Sequence, residues 1–400
     1  MSFSLALSEE QKELQKWAHD FAENEIRPVA ERYDDTEEFP WEVVKRAAEV
    51  GLYGPDIYLQ TQQDPTGLSM PLVMEEIFWG CAGIGLAIFG TGLPLSALAA
   101  GGTPEQLFTW APRMFGTPDD PAVAAFCVTE PNAGSDVSSL RTKAERVEDG
   151  FVLNGQKVFA TNGGIADVHL VVATVDPNLG HRGQATFIIS TKDHQGIKQG
   201  KKEKKMGIRA SHTAEVLLED CFVPVENVLG GIEKLEGKLE RAKSGQSTGR
   251  SSGALRTFEI TRPLVACQAV GIARAALEFA VDYAKDRKAF GVPIYQHQGI
   301  AFQLADMAVE VDCARLLVWR AAWMAASGQA FSNAEGSMSK LKAGEAAVKV
   351  TETAIQVLGG YGYIKDFPVE KWHRDSKIYT LFEGTSEIQR LVISRALASD

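Results

Sequence analysis

Between residue 7 and about residue 115 the apolar positions recur every three or four residues, as at Leu14, Trp17, Ala18 and Phe21. That spacing turns one face of a helix toward a core. Pro40-Trp41-Glu42 reads as a helix start, with proline in the first turn, where its missing N–H costs nothing. Residues 70–100 are apolar and glycine-rich, which predicts helices buried on several sides. Near residue 122 the texture changes. Ala122 to Val128, His169 to Val175, Ala185 to Ser190 and Ala214 to Leu218 are apolar runs of strand length, and Asp149-Gly150 and Asn154-Gly155 read as hairpin turns. From about residue 258 the helical period returns in long stripes. One runs Val270, Ala273, Leu277, Ala280; another Leu304, Met307, Val311, Ala314, Val318; a third Val348, Thr351, Ile355, Leu358. Such stripes build antiparallel bundles, and the methionines and aromatics on them are read as core.

The predicted class is therefore α+β, laid out as α, then β, then α. An N-terminal α-helical domain takes residues 1–121 and a middle antiparallel β domain takes residues 122–231. A polar insertion or linker, charged and loop-like from Ser244 to Gly253, takes residues 232–257, and a C-terminal four-helix bundle takes residues 258–400. A length of 400 residues suits several domains or one large layered body.

Charge narrows the partners. A net charge of −11 argues against a general nucleic-acid binder. Cys81, Cys127, Cys221, Cys267 and Cys313 are scattered, odd in number and without a Cys-x-x-Cys pair, so they are read as reduced, buried thiols. The histidines are scattered too, and no metal site is expected. The first residues show no basic, then apolar leader, and no uncharged stretch is read as long enough to cross a bilayer. The expectation is a cytoplasmic protein away from membranes.

Five segments carry candidate chemistry. Leu381-Phe382-Glu383-Gly384-Thr385-Ser386-Glu387 places a carboxylate just before a Gly-Thr turn and a helix start. This suits a base held on a loop, although a lone loop glutamate is ordinarily just solvated. Cys127-Val128-Thr129-Glu130-Pro131-Asn132-Ala133-Gly134-Ser135-Asp136 combines small residues, which admit a ligand close to the backbone, with hydroxyls that can bond it. Read alone it is equally a turn leaving a strand. In Lys157 to Gly164, Phe159 and Thr161 lie two apart and share one face of a strand. Arg287 to Gly291, with His297 and Gln298, closes one helix and opens another; Gln356 to Tyr363 contains Gly359-Gly360, a natural helix C-cap.

Together these segments resemble the acyl-CoA dehydrogenase family, flavoenzymes that place a double bond beside a thioester, and the resemblance runs over nearly the whole chain. It implies FAD as cofactor. Phe126, Val128, Thr129, Gly134, Ser135, Phe159 and Thr161 would lie along the flavin and its pyrophosphate, with Thr129 bonding the isoalloxazine and Thr161 reaching N5. Arg287, Phe290, His297, Gln298, Gln356, Gly359 and Gly360 would meet FAD bound mainly by a neighbouring subunit, which implies a dimer or a dimer of dimers. Thr385 and Glu387 are also assigned to the cofactor, and Glu130 to structure. Glu383 would be the base that removes the α-proton of an acyl-CoA, its pKa raised by burial and its backbone N–H bonding the thioester oxygen. Ser135, Phe258, Glu259, Arg262, Phe382 and Gly384 would face the substrate, and an electron-transfer flavoprotein would accept the electrons.

Three features depart from the family's usual pattern. Phe159 stands where tryptophan is common, Phe382 stands where tyrosine is common, and the stretch over residues 232–257 is longer. That stretch is read either as a surface insertion or as one that meets CoA phosphates or reshapes the acyl cavity. Some family members carry the base near the segment of Phe258 to Pro263, but the residue before Arg262 is Thr261, so Glu383 keeps the role. A flavin-dependent monooxygenase would generally lack such a base. The alternatives left open are an acyl-CoA oxidase on the same fold and a non-catalytic acyl-CoA-binding or scaffold protein.

Overall fold

A computed structural model describes residues 4–245 and 253–398, with the side chains of residues 253–260 left aside. The N-terminal domain is built from α1 (Glu9–Phe21), α2 (Ala30–Thr36), α3 (Trp41–Glu49), α4 (Pro55–Gln62), α5 (Ser69–Gly80), α6 (Ala82–Phe89), α7 (Gly92–Gly101) and α8 (Pro104–Phe115). Local chemistry sets several of these ends. Ser8 with Gln11, and Thr103 with Gln106, form reciprocal capping boxes that satisfy otherwise unpaired N–H groups at the starts of α1 and α8. Every residue of α5 and α6 is buried; α6 is apolar throughout, and the two acids of α5, Glu75 and Glu76, are buried against Arg274 and Arg315.

One expectation about this region is corrected. Residues 82–101 carry no charge and are long enough to span a bilayer, as is the segment Thr261–Asp286. Both are core segments here, about two-thirds buried inside the protein, and the first is broken into α6 and α7 between Phe89 and Gly92. At that break Thr91, fully buried, ties two domains together. Its Oγ1 accepts the Ala124 N–H at 3.2 Å and meets the Tyr53 hydroxyl at 3.3 Å, while Tyr53 also donates to the Ala122 carbonyl.

The middle domain is a seven-stranded sheet of β1 (Ala124–Cys127), β2 (Lys143–Val147), β3 (Gly150–Thr161), β4 (Val168–Thr174), β5 (Gln184–Ser190), β6 (Ile197–Lys202) and β7 (Thr213–Pro224). The path runs β1-β4-β2-β3-β7-β6, with β5 on β4. The antiparallel expectation holds for β2–β3, β3–β7, β4–β5 and β6–β7, and is corrected for β1–β4 and β2–β4, which are parallel. β4 follows β1 and β2 only after a long connection, so no tight turn forces it to run back against them. The hairpin turn between β2 and β3 is Glu148-Asp149, one residue earlier than expected, with Gly150 already in β3 opposite Val147, and Asn154-Gly155 is not a turn. It lies inside β3 at a bulge, where Asn154 bonds Asp220 and Gly155 takes a φ of 155°. A Cβ on Gly155 would stand 2.6 Å from Thr142 Oγ1, so close packing selects the glycine there.

The predicted polar linker is partly a helix, α9 (Ile232–Lys243), which buries Leu235 and Ala242 and donates from Lys238 Nζ to the Gln184 carbonyl at 2.6 Å. Residues 246–252 of that stretch lie outside the described residues. The C-terminal domain packs α10 (Gly253–Asp286), α11 (Gln298–Ala326) and α12 (Glu335–Leu358) side by side, with α13 (Val369–Ser376) and α14 (Ser386–Leu397) against α12. A short hairpin, β8 (Lys288–Ala289) with β9 (Val292–Pro293), joins α10 to α11. Four of the cysteines are buried as expected, but Cys313 is exposed, because it falls on the outer side of α11.

Candidate active site

The three domains meet around one cleft that is partly open to solvent. The middle domain contributes Phe126, Val128 and Thr129 after β1, and Val158 to Thr161 from the end of β3. Four consecutive residues of one strand face the same space because β3 breaks its register between Lys157 and Ala160, and Phe159 adopts a φ of 58° there. Phe159 is 65% exposed, an aromatic face turned outward at the cleft rather than into the core. The C-terminal domain contributes Phe382 and Glu383 and, from α10, Thr261, Leu264, Val265 and Gln268. These α10 positions follow the i, i+3, i+4, i+7 pattern of a single helix face.

Glu383 sits on the loop before α14, half-buried, with a left-handed φ of 51°. That conformation is unusual for a residue with a Cβ and clusters at functional sites. Lys340 Nζ donates to the Gly384 carbonyl at 2.7 Å, and Gln389 Nε2 donates to the Gly384 and Glu383 carbonyls at 2.9 and 3.2 Å. These bonds fix the loop. Burial raises the Glu383 carboxyl above its ordinary range; the Thr261 hydroxyl, which donates to Oε2 at 2.8 Å, then Lys340 and Arg262, pull it part of the way back. Lys340 is itself buried, and its ammonium is pushed down to about 8. Among the described residues no acceptor meets the Glu383 backbone N–H.

Glu130 is structural, as expected. It forms a buried ion pair with Lys157 at 2.7 Å and accepts the Arg141 and Thr142 N–H groups, which holds the Thr129 segment against β3. Lys157 also donates to the Val128 carbonyl at 2.9 Å. Gly134 and Ser135 lie exposed at the neighbouring turn, where a Cβ on Gly134 would meet nothing within 4 Å.

A second, separate cleft gathers Arg287, Phe290, His297, Gly359 and Gly360 with Tyr361. Phe290 is 97% exposed, has a φ of 52°, and stands edge-on to His297. Gln298 and Gln356 are exposed at the start of α11 and near the end of α12, outside that lining. Thr385 caps α14 by accepting the Ile388 N–H, and Glu387 is exposed in its first turn, so neither lines either cleft. Arg262 stands behind Glu383, buried and bonded to Ser337, rather than in the cleft lining. Gly384 also lies outside the lining, held by the bonds to its carbonyl. Phe258 and Glu259 fall in α10, but their side chains lie outside the described residues.

Three residues around Glu383 were not assigned to the site from sequence: Thr261, Lys340 and Gln389. Thr261 was visible as the neighbour of Arg262. Lys340 and Gln389 are polar residues on buried positions of α12 and α14, a mismatch with helix pattern that is their one sequence signal.

A half-buried carboxylate facing an apolar slot edged with hydroxyls defines a site for proton abstraction beside a flat, amphipathic group. Comparison with known proteins gives that class a family. Residues 8–117, 125–221 and 252–398 match the N-terminal, middle and C-terminal domains of acyl-CoA dehydrogenase. The chain is 39% identical over 395 residues to an acyl-CoA dehydrogenase of Bacillus subtilis (strain 168), covering 98% of each. It is 39% identical to a short-chain specific acyl-CoA dehydrogenase of Clostridium acetobutylicum, covering 97% of this chain and 98% of that one. The structure of butyryl-CoA dehydrogenase from Megasphaera elsdenii superposes with a TM-score of 0.88 at 35% identity, over 99% of this chain and all of that one. A structure described as an electron transferring flavoprotein of Acidaminococcus fermentans gives a TM-score of 0.87 at 35% identity, again over 99% of this chain. This chain belongs to the acyl-CoA dehydrogenase family, whose members are flavoprotein oxidoreductases.

Proposed function

We propose that the protein is an FAD-dependent acyl-CoA dehydrogenase that converts an acyl-CoA thioester to the trans-2-enoyl-CoA. The observation that carries this reading is Glu383: a carboxyl with a raised pKa, in one cleft with the Thr129 and Thr161 hydroxyls and the Phe126, Val128 and Phe159 surfaces. The cleft fits a flavin. It offers the Thr129 and Thr161 hydroxyls at the edge of an apolar wall and, at Phe159, an exposed aromatic face. Bound there, FAD would supply the acceptor for the β-hydrogen.

The protein's own groups do the rest. Glu383 takes the α-proton on its carboxylate; a pKa raised by burial makes that carboxylate a stronger base than one in water. Its free N–H is available to bond the thioester oxygen and stabilise charge that develops as the proton leaves. Thr261 and Lys340 hold the base in place without neutralising it. The apolar wall excludes water from the transfer.

The same proposal includes two features that lie beyond the single chain. The second cleft, with Arg287 and the exposed Phe290, suits the distal part of FAD held by a neighbouring subunit, so the working unit would be at least a dimer. An electron-transfer flavoprotein would serve as acceptor; the resemblance to the Acidaminococcus fermentans structure supports this. A cytoplasmic site of action remains part of the proposal. The test is anaerobic: purified protein should be yellow, bleach on adding acyl-CoA, and stop bleaching in Glu383→Gln while the flavin stays bound. A yellow protein that no straight, branched or aromatic acyl-CoA bleaches would favour the non-catalytic reading, and fast reoxidation by oxygen would favour the oxidase.

A further inference from the structure

The cleft carries hydrogen-bonding capacity that proton abstraction does not use. Gln268 lines the cleft, is 5% exposed, and its Oε1 has no partner among the described residues. It lies seven residues beyond Thr261 on the same face of α10, roughly 10 Å along the helix from the residue that bonds Glu383. Tyr58, from α4, lines the same cleft, and its hydroxyl is likewise buried without a partner. Its position is built in: a Cβ on Gly92 would stand 2.4 Å from that hydroxyl, so only glycine leaves it room. Leu86, Phe89 and Leu264 make the surroundings apolar.

A plain hydrocarbon chain filling this space would leave an amide oxygen and a phenol buried and unpaired, which is costly. A charged end group fits no better. Among the described lining residues Glu383 is the one charged group, so a terminal carboxylate would find no cation and would be repelled. A hydroxyl meets the need: it can donate to Gln268 Oε1 or accept from the Tyr58 hydroxyl.

Resting on the acyl-CoA dehydrogenase reading, we propose that the preferred acyl group carries a neutral hydroxyl on its distal part, read by Gln268 and Tyr58. These are specificity-determining residues and take no part in the proton transfer.

The test is steady-state kinetics of the holoenzyme on acyl-CoAs of matched length ending in methyl, hydroxyl or carboxylate. The expected result is a kcat/KM for the hydroxyl-ended series at least about tenfold above the methyl-ended one, because a site built to bond a hydroxyl rejects the analogue lacking it. The carboxylate-ended series should be poorest. Gln268→Leu and Tyr58→Phe should each shrink the hydroxyl preference and favour the methyl-ended substrates. Equal or better turnover of methyl-ended substrates by the wild-type enzyme would overturn the inference while leaving the dehydrogenase reading intact, since solvent would then serve the two groups. Failure of every acyl-CoA to bleach the flavin would overturn both. The wild-type panel decides the matter even where a variant does not fold.

Discussion

At the residue scale, the site turns on how one carboxyl is held. Glu383→Gln keeps the shape and removes the base, so turnover should fall by at least about 10²- to 10⁴-fold in stopped-flow flavin bleaching, the usual worth of a positioned base. The pH dependence follows from the direction of its shift. The reactive form is the carboxylate and burial raises the pKa, so kcat/KM should fall as pH is lowered through that raised value. Thr261 donates to the charged form and lowers the pKa. Thr261→Val should therefore move the acid limb of the profile to higher pH, a shift that a merely looser loop would not give. Glu383, Thr129 and Thr161 were reached through the resemblance of their segments to the acyl-CoA dehydrogenase family, because read alone those segments are equally turns and strand ends. Thr261 and Lys340 were not legible, because what makes them functional is contact across more than forty residues of chain. Gln389 reaches back to the loop just ahead of its own helix but reads in sequence as an ordinary polar helix residue.

At the element scale, β3 shows what alternation can and cannot reveal. Phe159 and Thr161 share the cleft through a bulge that turns all of Val158 to Thr161 into it, not through alternation, whereas the strand's length and apolar character were readable. The two bulges were not, because Asn154-Gly155 carries the same residue types whether the chain turns or bulges. The same elements depend on the Glu130–Lys157 pair, whose side chains are 6% and 0% exposed. Lys157→Met would leave a buried carboxylate without its cation and should destabilise the protein by about 3–5 kcal/mol. Differential scanning fluorimetry should show a lowered Tm. Adding Glu130→Gln to that variant should recover part of the loss, since no buried charge then remains. α9 did carry a helical stripe, Ile232, Leu235, Leu239 and Ala242, but the dense charge between those positions gives the stretch the composition of a linker.

At the scale of the whole molecule, the α, β, α order was plain in the sequence because hydrophobic period changes twice, near residues 122 and 258. How the domains would enclose a cleft was not, since that depends on loop positions no period encodes. The separation of the two clefts gives the last prediction. If the second completes a neighbour's flavin site, Arg287→Ala should lower the flavin-to-protein absorbance ratio of the purified protein while leaving Glu383 and its surroundings unaltered. Phe290→Asp should in addition shift the species seen by light scattering toward monomer. Full flavin content and unchanged mass in both variants would detach that cleft from the cofactor.

Thr91 has a mechanical consequence. One hydroxyl rivets the junction of α6 and α7 to the start of β1, and Tyr53 doubles the fastening. The cavity wall straddles this rivet, with Gly90 and Gly92 on one side and Phe126 on the other. The helical layer and the sheet therefore cannot swing apart like jaws without tearing buried bonds. Thioesters must thread into a chamber whose back is already rigid, and any give is confined to the rim.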